Sequence, residues 1–231
     1  MQSQPNSPIS SITRFTTTDF PDRLACIVWF TGCNMRCSYC YNPHIVTGEG
    51  NLSEIDLFNF LRTRQGKLDA VVLSGGECTL YDHLPELCES IKAMGFDIKL
   101  DTNGLNPSMI KHLVDEMLVD YIALDYKAPQ SHFKALTKST RFELFQETLE
   151  YLIHADVSFE IRTTVHPDLL DVTAINAIIG DLKNKGYAGT YYLQHYLHVD
   201  ETLGNSPLPS QDFDLAALEK KIPIELRNFN F

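Results

Sequence analysis

A chain of 231 residues, 44% hydrophobic and 21% charged, has the length and composition of one globular domain, which sets aside disordered and fibrous classes. Its 30 acidic residues against 19 basic ones give a formal net charge of -11, which repels a phosphate backbone, so nucleic acid is not expected as a partner. The first ten residues lack the basic and apolar regions of an export signal, and the longest apolar run, residues 24–30, is too short to span a bilayer; a cytoplasmic protein without membrane contact is expected.

In chain order, a polar tail through residue 11 is expected to be disordered. Apolar runs rich in β-branched and aromatic residues predict six strands, at 25–31, 70–74, 97–101, 121–125, 158–165 and 190–195. Between them, helical periodicity predicts helices at 53–63 with Ser53 and Asp56 at its start, 83–94 ended by Gly95, 107–118, 141–153, and 172–185 ended by Gly186. Strand and helix alternate strictly, and the strands are apolar throughout, as parallel strands covered on both faces should be. Polar and glycine-rich residues stand at nearly every strand end, the place where barrel enzymes build their sites. The fold class expected is therefore α/β, a partial (β/α)6 TIM-like barrel of parallel strands with helices outside. It should form one domain over 12–200, with 201–231 as a C-terminal extension packed on it.

Six cysteines in a reducing compartment point to metal binding or catalysis and not to a disulfide framework. Three of them, Cys33, Cys37 and Cys40, form a C-x3-C-x2-C loop directly after the first strand. A closed zinc or iron-sulfur site needs four protein ligands, so three cysteines imply a fourth ligand elsewhere, drawn from Cys26, Cys78, Cys88 or His44, or else an iron left open for substrate.

Gly75, Gly76 and Glu77 follow the second strand, where backbone without side chains lets a ligand approach and a carboxylate can meet an ammonium. Asp101, Thr102, Asn103 and Gly104 follow the third strand, and Asp125, Tyr126 and Lys127 the fourth; read alone, Asp and Asn before Gly are ordinary turn formers. In the fifth strand Glu160, Arg162 and Thr164 share one face, and charges on a covered strand need partners, so this face is expected to look inward with Arg162 toward ligand. His195, ending the sixth strand, reads better as a hydrogen-bonded structural histidine.

The cysteine loop, with Tyr39 as the aromatic before the third cysteine, resembles the signature of radical S-adenosylmethionine (SAM) enzymes. The resemblance implies that Cys33, Cys37 and Cys40 ligate three irons of a [4Fe-4S] cluster, that the fourth iron chelates SAM, and that Tyr39 lies near the adenine. It also implies that Gly75, Gly76 and Glu77 receive the SAM amino group, although Cys78 stands where relatives commonly have Pro. Asp101, Thr102, Asn103, Asp125 and Lys127 look like the ribose, carboxylate and monovalent-cation contacts of the glycyl-radical-enzyme activases. Further segments, at 15–24, 41–43, 68–77, 99–104 and 119–129, are similar to the activating proteins of anaerobic ribonucleoside-triphosphate reductase, with Tyr41 where relatives often have His.

The function implied is reductive SAM cleavage, with electrons from flavodoxin or ferredoxin, and transfer of the radical to a glycine Cα of that reductase. No side chain need act as acid or base, and the acidic surface suits docking to a protein. Two alternatives stand beside it: a radical SAM enzyme acting on a small molecule, similar to 7-carboxy-7-deazaguanine synthase, and a non-catalytic metal or redox module. The segment 208–231 carries no motif.

Overall fold

The structure, a computed structural model, describes residues 7–229. Their contacts divide them into two compact units. The first unit takes in residues 7–34, Asn42–Thr102 and Asn106–Ile122; the second takes in Met35–Tyr41, Asn103–Leu105 and residues 123–229.

In the first unit, strands β1 (Ile9–Thr16), β2 (Ala25–Phe30), β3 (Ala70–Gly75) and β4 (Asp97–Thr102) lie side by side in chain order. β1 is antiparallel to β2, with irregular register near both ends, whereas β2, β3 and β4 run parallel. The parallel register places Phe30 opposite Gly75, so the ends of β2 and β3 emerge together. Val71, Val72 and Leu73 are wholly buried, which is why this strand reads as an unbroken apolar run. Around the strands stand α1 (Pro43–Thr47), α2 (Glu54–Arg62), α3 (Leu84–Ala93) and α4 (Pro107–Asp115). The start of α2 is a reciprocal capping box, in which Ser53 accepts from Asp56 N and Asp56 accepts from Ser53 N.

β5 (Tyr121–Asp125) begins in the first unit and ends in the second. The second unit continues through α5 (Gln130–Thr137), α6 (Phe142–His154), β6 (Ser158–Val165), α7 (Val172–Asn184), β7 (Tyr191–His195) and β8 (Ile224–Arg227). β6, β7 and β8 are parallel neighbours in chain order, with Val165 opposite His195 and Gln194 opposite Arg227.

All six expected strands and all five expected helices are present, within a few residues of their expected ends. The disordered tail is corrected from Ile9 onward: Ile9 is fully buried, Leu52 N and Asn51 N donate to its carbonyl, and Thr31 N donates to that of Pro8. Residues 1–6 of that expected tail lie outside the described residues. Two strands and two helices were not expected. β1 is polar at five of its eight positions, and β8 has only four residues; α1 and α5 are too short to show a helical period. Among the described residues no helix is long and apolar enough to cross a membrane.

Candidate active site

In the first unit the site begins where β2 runs into Gly32 and Cys33. Gly76 N donates to Phe30 O (2.9 Å) and Glu77 N to Gly32 O (2.8 Å), which ties the turn after β3 to the chain entering the cysteine loop. Both glycines are required by this approach. Gly75 has φ +123°, and a Cβ on either glycine would overlap backbone atoms, those of Phe30 for Gly75 and the Gly32 carbonyl for Gly76.

Glu77 is 2% exposed, a costly place for a carboxylate without partners. Its Oε1 accepts from Thr79 N (3.2 Å), Thr79 Oγ1 (2.6 Å) and Thr102 Oγ1 (2.8 Å). The structure thus brings together Gly75, Gly76, Glu77 and Thr102. Asp101 is held by Lys99 Nζ at 2.6 Å, and Ser74 Oγ donates to it at 3.2 Å. Lys99, 1% exposed, was missed in the sequence; its signal is its place two residues before Asp101, on the same face of β4.

In the second unit, Tyr39 and Cys37 are buried while Cys40 is partly exposed. Among the described residues the buried Tyr39 hydroxyl has no hydrogen-bond partner, and its burial raises its pKa far above that of an ordinary phenol. Tyr41 stacks on Tyr196, with ring centroids 5.5 Å apart, and its hydroxyl accepts from Leu197 N at 2.8 Å. Asn103 makes a local turn, its Oδ1 accepting from Leu105 N, and Gly104 at φ +77° continues it; this pair behaves as the turn formers that the sequence allows.

A charge ladder runs from the end of β5 through the middle of β6 to β8. Lys127 Nζ and Arg162 Nε each donate to Asp125 at 3.0 Å, Arg162 lies 3.9 Å from Glu160, and Arg227 reaches Glu160 at 3.0 Å while lying over the Tyr192 ring. Burial alone would raise the Asp125 carboxyl, but Arg162 and Lys127 overcome it and hold its pKa at about 2. Burial would likewise lower the Lys127 ammonium, yet Asp125, with Tyr39 and Cys37, raises it above an ordinary lysine. The Arg162 guanidinium is engaged with Asp125. His195 takes the structural role, its Nδ1 2.8 Å from Tyr196 O and its ring edge-on to Phe229.

The thiols outside the loop lie in the core. Cys26, Cys78 and Cys88 are fully buried; burial pushes Cys26 and Cys88 up to about 12 and Cys78 well above an ordinary thiol. Cys78 Sγ instead sits 3.5 Å from the carbonyls of Leu73 and Asp101. Among the described residues no three His, Cys, Asp or Glu side chains are gathered as a ready metal site; assigning the loop thiols to one centre rests on their spacing and on family.

Residues 27–177 match the model of the radical SAM superfamily, well over half the chain. Over 211 residues the chain is 29% identical to a glycyl-radical enzyme activating enzyme of Methanocaldococcus jannaschii, covering 88% of this chain and 87% of that one. It is 31% identical over 195 residues to the pyruvate formate-lyase-activating enzyme of Listeria monocytogenes, covering 76% and 77%. The chain belongs to the radical SAM enzymes that activate glycyl-radical enzymes. Its fold is similar to that of Streptococcus suis SuiB bound to S-adenosylmethionine, at a TM-score of 0.65 and 14% identity, over 87% of this chain and about half (52%) of SuiB. The likeness bears out the α/β partial-barrel fold. As a radical SAM activase, the protein is an enzyme that uses a [4Fe-4S] cluster and SAM.

The residues present fit these groups. Three soft thiol donors on one loop suit iron, and the buried, pre-oriented Glu77 carboxylate suits a cationic group.

Proposed function

We propose that Cys33, Cys37 and Cys40 hold the cluster, that the strand ends described above hold SAM, and that the radical is delivered to anaerobic ribonucleoside-triphosphate reductase. When bound, the cluster and SAM together supply a 5'-deoxyadenosyl radical by one-electron reduction of the sulfonium. The chain's own residues bind, orient and shield.

The observation that carries this reading is the buried Glu77 carboxylate, fixed by Thr79 and Thr102 immediately after two glycines that no larger residue could replace. A carboxylate already oriented spends little entropy in meeting the SAM ammonium. Lys127, at the cationic end of the Asp125–Arg162–Glu160 ladder, answers the carboxylate of the methionine part, and Arg162 keeps Asp125 ionised beside it. Asp125 already faces two cations, so no monovalent cation is assigned to it. Tyr39 lines the adenine side and Tyr41 closes the loop behind it. None of these groups transfers a proton.

The reductase as target is supported by the similarity of residues 15–24, 41–43, 68–77, 99–104 and 119–129 to reductase activating proteins. The electron donor in this reading is flavodoxin or ferredoxin. The test is electron paramagnetic resonance on the anaerobically reconstituted protein mixed with SAM, reduced flavodoxin and either the reductase or pyruvate formate-lyase. A glycyl radical on the reductase alone supports the assignment, and one on pyruvate formate-lyase alone refutes it. Formation of 5'-deoxyadenosine only with a pterin-like small molecule would move the protein to the small-molecule class.

A further inference from the structure

The segment 196–207, beyond the last expected strand, crosses the cysteine loop. Leu203 N donates to Cys40 O at 3.1 Å and Gly204 N to Ser38 O at 2.8 Å. On the loop's other bonds, Arg36 N and Ser38 N donate to Thr137 O and Leu136 O at the end of α5. Residues 36–40 are therefore held by backbone hydrogen bonds to two separate stretches of chain. The crossing is tight: a Cβ on Gly204 would meet the Cα, Cβ and carbonyl oxygen of Ser38 at 2.8–2.9 Å, closer than real Cβ atoms approach backbone.

The crossing segment is itself fastened at both ends. Tyr196 N donates to Val165 O, Tyr196 stacks on Tyr41, and Tyr41 Oη accepts from Leu197 N. At the far end His166 Nε2 lies 3.0 Å from Pro207 O, Tyr196 Oη donates to Ser206 O, and Ser206 N donates to Thr202 Oγ1. Between them Asn205 N donates to Thr202 O, closing a turn with Leu203 and Gly204 at its centre.

We propose that this strap is a positioning device for the cluster, with Leu203 and Gly204 as positioning residues that fix the backbone carrying Cys37 and Cys40 and slow loss of iron. The proposal rests on the assignment of the loop cysteines to the cluster. Loop ligands hold a cluster only as firmly as their backbone holds them, and second-shell contacts of this kind orient ligands and tune the centre. Two hydrogen bonds to consecutive turns of one short loop supply that restraint without a side chain of their own.

The test compares reconstituted wild type, Leu203→Pro, Leu203→Ala, Gly204→Val and Cys37→Ala under anaerobic conditions. Proline suits the second position of such a turn and removes only the N–H that reaches Cys40. Readouts are bound iron, the rate of iron transfer to a ferrous chelator, the resonance line shape of the reduced cluster, and the unfolding temperature of the apo chain. Leu203→Pro should release iron about 3- to 10-fold faster, as loss of one hydrogen bond implies, with an altered line shape, while the apo chain loses no more stability than that one bond is worth. Leu203→Ala, which keeps the N–H, should match wild type, and Gly204→Val should lose iron faster still.

Wild-type retention and line shape in Leu203→Pro would overturn the strap's role, and this holds even if Gly204→Val fails to fold. The Cys37→Ala chain separates the two levels: without a cluster it upholds the cysteine assignment whatever the strap variants do, and with a normal cluster it overturns that assignment and the strap with it.

Discussion

Glu77 shows how a single carboxylate can be made specific before any ligand arrives. Three donors from two threonines converge on one of its oxygens, so its orientation is set by the protein and not by what it binds. Thr102→Val keeps the shape and removes one donor to a charged acceptor, an interaction of about 1.5–3 kcal/mol. We expect SAM binding about tenfold weaker or more, measured by equilibrium dialysis, with the iron content of the reconstituted protein unchanged. Loss of iron in this variant would mean that Thr102 supports the cysteine loop and not the cofactor. The sequence placed Glu77, Thr102, Asp125 and Lys127 at strand ends and Arg162 on the polar face of the fifth strand, because residue type and position in or after a strand carry that information. It could not show that Lys99 pairs with Asp101 or that Arg227 pairs with Glu160, since those pairings depend on which strands become neighbours.

At the scale of elements, the parallel register of β2 with β3 sets the geometry, because it brings Gly32 and Gly76 to the same height. Gly76→Ala would force a methyl into the Gly32 carbonyl, and relief requires one of the two chain segments to move. We expect a loss of about 1–3 kcal/mol of stability in urea titrations, the range for overpacking, together with incomplete reconstitution of the cluster. An alanine variant with wild-type stability and iron content would show that the approach of the two segments is slack. The long elements were legible in the sequence because period and capping agree: the Ser53–Asp56 box marks the start of α2, and the apolar run 70–74 reads as β3. β8 and the strap were not, since four residues or a lone turn give no period, and their backbone bonds to distant segments leave no mark on composition.

For the molecule as a whole, the relevant response is to acid. The Asp125 carboxyl is held at about 2 by Arg162 and Lys127, against burial that would raise it, and Asp56 and Asp168 are also lowered, chiefly by the hydrogen bonds they accept from Ser53 and Ser210. A carboxyl whose pKa is lower folded than unfolded contributes stability above the unfolded value, and that contribution is lost as pH falls through the folded one. The unfolding temperature should therefore hold between about pH 5 and 7 and fall from about pH 4 down to about 2. Asp125→Asn should unfold at a lower temperature at neutral pH and show a shallower drop in acid. If both chains lost stability in parallel, the ladder from β5 through β6 to β8 would not be the acid-sensitive element.

Of the six thiols, Cys26, Cys78 and Cys88 are fully buried in the core, and the other three lie on the loop from Cys33 to Cys40. Burial raises the pKa of the three in the core, which disfavours their reaction as thiolates, whereas Cys33 and Cys40 on the loop are partly exposed. Oxidation by air is expected to fall first on that loop, with the core thiols spared.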